Sequence, residues 1–224
     1  MITTWYTEAG KYNVMPIDSR MVQRLNEERP SVAPDRSVYT YYPGTDPVIL
    51  SAAVNVLNRT HIITAYVDIP EGGAEGVLLA DGSIGGGYSF YIKDGKLHWV
   101  HNYVARTIYH LESSENVPEG RHELEAEFKV TGKPNLAKGE GASGTVRLFI
   151  DGKLVARADI PVTIPITLGI TSGLTCGSAP ASPITPDYKP PFKFTGKIFK
   201  VTVDVSGKLY EDKEAEMRMI MTRQ

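Results

Sequence analysis

Between Gly86 and Tyr103, apolar and polar positions alternate along two runs, Gly-Gly-Tyr-Ser-Phe-Tyr-Ile-Lys and Lys-Leu-His-Trp-Val-His-Asn-Tyr. Asp94-Gly95 joins them, and Asp-Gly between alternating runs signals a hairpin closed by a type I′ turn. With a two-residue loop, Ile92 faces Leu97, Phe90 faces Trp99 and Tyr88 faces His101, all on one side. Tyr91 with His98, and Lys93 with Lys96, fall on the other side. The first face needs a second layer to cover it. The second is expected to stay wet.

The same alternation recurs along the chain. In His61–Ile69 both sets of positions carry apolar side chains, which predicts a central strand buried on two sides. Arg121–Val130 alternates His122, Leu124, Ala126, Phe128 and Val130 with Glu123, Glu125, Glu127 and Lys129, a half-exposed strand with an acidic outer face. Shorter strands are predicted at Tyr39–Tyr42, Glu75–Asp81 and Arg106–Ser113. A second Asp-Gly hairpin turns at Asp151-Gly152, between Thr145–Ile150 and Lys153–Ile160. Pro161–Leu168 is expected at an edge because it holds two prolines. Phe194–Val205 closes the set, with a bulge near Phe199-Lys200. Residues 171–193 read as a long loop with Cys176 and five prolines between Pro180 and Pro191; such a loop usually covers something or has a task.

Helical spacing is confined to the ends. Trp5, Ala9 and Tyr12 share a face of a short N-terminal helix, a second short helix is expected over Met21–Glu28, and Met217, Ile220 and Met221 form a stripe on a helix starting at Glu211. The expected organisation is a helix and extended arm over 1–38, a β-sandwich over 39–208 and a helix over 209–224. About a dozen short strands with helices outside them predict an all-β, two-sheet jelly-roll sandwich.

Composition narrows the function classes. Hydrophobic residues make up 42% of the 224 and charged residues 22%, enough for a full core. A net charge of -2 with scattered lysines and arginines argues against nucleic-acid binding. One cysteine excludes an internal disulfide and multi-cysteine zinc sites. No secretory signal or membrane-length apolar run is evident, so the chain as it stands is expected to be cytoplasmic and not membrane-bound.

Candidate chemistry is sparse. The five histidines lie near no Gly-x-Ser-x-Gly elbow. His98 and His101 point to opposite faces of one strand and cannot share a metal as neighbours, and there is no Asp-x-Asp run for calcium. No catalytic residue, metal or cofactor is expected. Glu123, Glu125 and Glu127 read as a solvated face, although paired carboxylates on a sandwich could serve a glycosidase. Asp81 is explained by turn geometry. Tyr88, Tyr91, Trp99, Tyr103 and Tyr109 offer flat faces that could stack on a sugar. Tyr88 and Trp99 are assigned to the core, which leaves Tyr91, His98 and Tyr109 as ligand-binding candidates.

Several segments together resemble the region that follows the catalytic domain in bacterial type I arylsulfatases. They are Glu8-Ala9-Gly10-Lys11-Tyr12-Asn13-Val14-Met15-Pro16-Ile17-Asp18-Ser19-Arg20, Tyr39-Thr40-Tyr41-Tyr42-Pro43-Gly44, Ile69-Pro70-Glu71-Gly72-Gly73-Ala74-Glu75-Gly76-Val77, the hairpin at Asp94-Gly95, Asp187-Tyr188-Lys189-Pro190-Pro191-Phe192-Lys193-Phe194-Thr195-Gly196, and the ending from Glu214-Ala215-Glu216-Met217-Arg218 to Arg223-Gln224. The resemblance implies a non-catalytic, concanavalin A-like accessory domain supporting a sulfatase catalytic domain supplied in cis or in trans. The family's formylglycine motif, Cys/Ser-x-Pro-x-Arg, belongs to that other domain. Here Cys176-Gly177-Ser178-Ala179-Pro180 lacks its proline, Ser178-Ala179-Pro180-Ala181-Ser182 lacks its arginine and Val32-Ala33-Pro34-Asp35-Arg36 lacks its nucleophile. On this reading Trp5, Tyr12, Asp187 and Tyr188 meet the other domain, and the helix face offers a route to homo-oligomers. The alternative is an independent carbohydrate-binding module using an aromatic sheet face. A hydrolase acting through Glu123, Glu125 or Glu127 is a third reading.

Overall fold

Alternating side chains make each strand apolar on one face, and two such faces must meet to leave water. The computed structural model, which describes residues 1–12, 14, 36–49, 52–165, 172–179, 181–210 and 212, shows how they do so. After helix α1 (Ile2–Lys11) come β1 (Val38–Tyr41), β2 (His61–Ile69), β3 (Gly76–Ser83), β4 (Gly86–Lys93), β5 (Lys96–Tyr103) and β6 (Thr107–Asn116). Next are β7 (Gly120–Val130), β8 (Gly144–Ile150), β9 (Lys153–Ile160), β10 (Leu174–Cys176) and β11 (Lys197–Asp204). They form a six-stranded sheet in the order β1-β11-β2-β7-β8-β9 and a five-stranded sheet in the order β10-β3-β4-β5-β6. Every pairing is antiparallel. This is the two-sheet jelly roll that the alternation predicts.

The register follows the turn chemistry. Ile92 pairs with Leu97, Phe90 with Trp99 and Tyr88 with His101. Asp94 and Gly95 have φ of 50° and 75°, and Asp151 and Gly152 have 49° and 78°, the left-handed pair that a type I′ turn requires. The bulge in β11 falls between Ile198 and Lys200, where the sequence places it. The core lies between the sheets. Ile63, Leu124, Phe128, Leu148 and Val203 from one sheet pack with Leu79, Phe90, Ile92, Leu97 and Trp99 from the other.

Burial departs from the sequence reading in one respect. The five-stranded sheet is the one whose central strands, β3 to β5, are covered on both faces, while β6 at its edge exposes Ile108, His110 and Glu112. In β4 every residue from Gly86 to Ile92 is buried, and in β5 every residue from Leu97 to Asn102. Ala179, Ile184, Tyr188 and Phe192 of the 177–194 segment pack on Val77, Ala80, Tyr91 and Val100 and form a third layer. The hairpin face expected to be wet is therefore interior. In β2, by contrast, Ile62, Tyr66 and Asp68 on the outer face are only half-buried. No strand forms over 161–165, and the rest of the predicted edge strand lies outside the described residues, as do the helices expected at Met21–Glu28 and after Glu211.

The β3–β4 turn is held by close backbone contact. Gly82 pairs with Gly87, and a Cβ on Gly82, at φ +134°, would sit 2.2 Å from the Gly86 carbonyl oxygen and 2.6 Å from Gly87 Cα. Only glycine fits there. Gly82→Ala is expected to destabilise the fold by about 2 kcal/mol or more, from strain and clash together. An unchanged urea midpoint would contradict this register.

Candidate functional site

Two polar constellations lie on opposite faces of the five-stranded sheet. The outer one gathers residues that the sequence separated into two groups. The Tyr91 ring is fully buried and stacks on His98, with centroids 4.9 Å apart and planes 6° from parallel. Its Oη donates to Asp187 Oδ2 at 2.8 Å. His98 Nε2 lies 3.1 Å from the Lys93 carbonyl oxygen and so donates to it, which leaves Nδ1 to accept from His110 Nε2 at 2.9 Å. His110 Nδ1 is 3.7 Å from Asp187 Oδ2. Tyr188 Oη meets Ser89 Oγ at 3.0 Å.

Tyr91, His98, Asp187 and Tyr188 thus form one clasp between sheet and cover. His110 is a member that sequence reasoning missed. Its signal was the β5–β6 register, which pairs it with Val100, one step along the same face from His98. Burial opposes the Asp187 charge, but hydrogen bonding with Thr185 and Tyr91 and the nearby His110 and His98 hold the carboxyl below its usual range. Burial pushes the His98 imidazole down. The groups at the centre of this clasp are spent on one another, and Tyr91 has no face left for a sugar. Tyr109 is elsewhere, opposite His101 and half-buried against the inner core. Trp5 and Tyr12 stand exposed on and just after α1, whose buried residue is Ala9.

The inner constellation surrounds a cavity of about 210 Å³ at one end of the sandwich. Its walls are the 53–58 segment, His61 of β2, Asp81 of β3, Gly87 and Tyr88 of β4, Trp99 and His101 of β5, Phe128 of β7, and Thr163-Ile164. Asn55 is exposed at its rim. The sequence pattern, which puts Tyr88 and Trp99 in the core, did not reveal this space. Nor did it single out Asp81, whose signal was a carboxylate on the inward face opposite Tyr88.

The electrostatics of the cavity are unusual for a protein core. Asp81 is 8% exposed and Tyr88 6%. Asp81 Oδ1 and Tyr88 Oη are both buried without a hydrogen-bond partner, although such atoms are normally satisfied. Burial alone pushes the Asp81 carboxyl up to about 6. The Tyr88 phenol is raised by burial first, then by Asp81 and Tyr41. Burial lowers His61 to about 4 and His101 to about 3, so both are neutral at pH 7. His61 Nδ1 donates to the Arg59 carbonyl at 3.0 Å, and His101 Nε2 accepts from the Ile164 amide at 3.1 Å. Rings line the walls: His101 stacks on Trp99 at 6.0 Å and His61 on Phe128 at 5.3 Å. Among the described residues, no lysine or arginine lines the cavity.

Glu123 is exposed and Glu125 and Glu127 are half-buried on the outer face of the six-stranded sheet. Glu127 pairs with Arg147, its neighbour across β8. The hydrolase reading therefore lacks a cleft with two opposed carboxylates. Cys176 is buried, and burial pushes its thiol up to about 12. Among the described residues, no three His, Cys, Asp or Glu side chains are grouped to hold a metal ion. Nor is any helix among them long and apolar enough to cross a membrane.

No protein-family model matches the chain, and no curated protein does. Solved structures do. The Ruminococcus gnavus IT-sialidase CBM40 bound to α2,3-sialyllactose is similar at 18% identity and a TM-score of 0.46, over 73% of this chain and 83% of that one. The LG1-3 region of the laminin α2 chain is similar at 16% and 0.46, over 78% of this chain and 31% of that one. The binding domain of botulinum neurotoxin serotype C1 is similar at 12% and 0.41, over 74% and 37%. The chain thus spans about a third of the laminin and neurotoxin structures. Likeness at this level concerns the fold alone. These neighbours are not sulfatases, and the arylsulfatase resemblance, with the accessory role it implied, is set aside. Two of the segments that carried it have local reasons to exist in this sandwich. Gly72 and Gly73 sit at φ of 87° and 92° in the turn before β3, and Asp187 and Tyr188 fasten the cover.

Buried neutral histidines set the acid response. The folded-state values of His61 and His101 lie below the free value of about 6.5, so the unfolded chain takes up more protons as pH falls, and stability is lost from about pH 6.5 downward. Asp81 acts in the opposite sense, since its raised value stabilises the fold below about pH 6. Two histidines outweigh one carboxyl, so urea unfolding at pH 5 is expected to give about 2–3 kcal/mol less stability than at pH 7.5. Tyr91→Phe, which leaves Asp187 short of a donor, is expected to cost about 1–2 kcal/mol at pH 7 in the same assay.

Proposed function

We propose that this chain is a non-catalytic carbohydrate-binding module whose site is the cavity at the end of the sandwich. The observation that carries this reading is the pair of unpartnered acceptors, Asp81 Oδ1 and Tyr88 Oη, on a wall that also presents Trp99 and Phe128. A pyranose ring has the complementary surface. Its C–H face packs on aromatic rings, and its hydroxyls donate to a carboxylate and a phenol oxygen. The cavity has a volume of about 210 Å³. It is below the ~300 Å³ of pockets that take drug-sized ligands, which limits the occupant to one sugar ring. The aromatic sheet face first considered for this role is covered, so the module reads its ligand from the inner face of the same sheet.

Such a ligand has about twelve heavy atoms, and at ~0.3 kcal/mol per atom the affinity falls in the millimolar range. Saturation-transfer NMR with a panel of free monosaccharides is expected to detect binding at millimolar concentration. Ala53→Trp, which narrows the half-exposed rim, is expected to abolish the signal while the amide spectrum stays folded. The reading fails if no sugar in the panel binds at tens of millimolar, or if Ala53→Trp binds as well as the parent.

A further inference from the structure

The chemistry of the cavity goes further than a neutral sugar requires. Asp81 lies on the inward face of β3 with no hydrogen-bond donor to its buried Oδ1. Burial is the one cause acting on its carboxyl. The titratable groups around it are Tyr88 across the β3–β4 ladder, Tyr41 of β1, and His61 and His101 on the cavity wall. None of these is a cation at neutral pH, since both histidines are held neutral by burial. Among the described residues, no lysine or arginine lines the space. A carboxylate removed from water without a counter-charge is among the most costly things a core can hold. Hydroxyl donors would satisfy its lone pairs but leave its charge uncompensated. An ammonium group would do both. The rest of the wall is compatible with the same guest, because Trp99, Tyr88 and Phe128 are among its lining residues and aromatic rings attract a cation.

We infer that the cavity selects a sugar bearing a free, protonated amino group, an amino sugar of hexosamine size, with Asp81 as the counter-ion and Tyr88 Oη as a second acceptor. This inference rests on the carbohydrate-binding reading above. The aromatic walls would hold the ring's C–H face while the ammonium points at Asp81. Capping the amine with an acetyl group removes the charge and enlarges the guest, so an N-acetylated sugar is disfavoured on both counts. The carboxylate's cost before binding is part of the same design: removing the charge should strengthen the free protein while weakening selection.

Binding of glucosamine, glucose and N-acetylglucosamine to the full chain, followed by NMR titration at pH 7, tests this. Glucosamine is expected to bind at least about tenfold more tightly than the other two. Asp81→Asn is expected to erase that preference and to raise the melting temperature of the free protein. Tyr88→Phe keeps the ring and removes the second acceptor, so it should weaken glucosamine with little effect on the fold. Lowering the pH from 7 to 5 protonates Asp81 and should weaken glucosamine but leave glucose unchanged. Equal binding of all three sugars would overturn the amine selection and leave the carbohydrate reading standing. A preference for glucosamine that survives in Asp81→Asn would overturn the role of Asp81. Failure of every sugar, with cyclohexylamine bound or not, would overturn both readings.

Discussion

The structure depends on the three central strands of the five-stranded sheet, β3 to β5, being buried on both faces. Strands in that position have no water on either side to receive their polar side chains, so each one needs a protein partner or carries a penalty. On the outer face the requirement is met by the 177–194 segment. Asp187 takes the Tyr91 hydroxyl, Tyr188 meets Ser89, and Asn102 donates to the carbonyls of Ile184 and Ile84. The long proline-rich loop is therefore the third layer of the sandwich, fixed by side chains whose hydrogen bonds would be lost if it lifted. Its path is also tied by backbone pairing, since Val77 donates to the Phe192 carbonyl and Phe194 to that of Gly177.

On the inner face most side chains are apolar, and the polar His101 and Ser113 have hydrogen-bond partners. Asp81 and Tyr88 each carry a buried oxygen without one. The contrast between the two carboxylates, Asp187 and Asp81, separates structure from function. Asp187 is half-buried, has hydrogen-bond partners and two imidazoles nearby, and is held in its charged form. Asp81 is more deeply buried, its Oδ1 is unpartnered, and it is pushed toward its neutral form. Fold stability alone would favour an apolar residue at that place. Its position beside a cavity walled by rings is what points to recognition.

Much of the fold was legible because it rests on local rules. Asp94-Gly95 and Asp151-Gly152 set both hairpins, and the alternation in Arg121–Val130 assigned the faces of β7 correctly. The burial of the hairpin's second face was not legible. Tyr91, Ser89 and His98 look like an ordinary wet face until a segment ninety or so positions later folds over them, and no local pattern in residues 177–194 announces that destination. The candidate site was hidden for a related reason. Asp81 adjoins Gly82, so turn chemistry gave a sufficient explanation of it. Trp99, His101 and Phe128 are core residues whether or not they enclose a space, and a cavity is a property of how volumes fail to add up. The arylsulfatase resemblance drew in part on turn-rich segments such as Ile69–Val77 and the Asp94-Gly95 hairpin, whose glycines this sandwich needs for its own turns.

The cavity has one more consequence, in volume rather than energy. Protein interiors are packed nearly as tightly as organic crystals and yield little when squeezed. A core that leaves about 210 Å³ between its sheets unfilled by side chains has fewer packing contacts to resist compression at that end than elsewhere. The end that holds His61, Asp81 and His101 is thus the part of the sandwich where compression acts first. A guest filling the same volume would make the two sheets respond as one incompressible body.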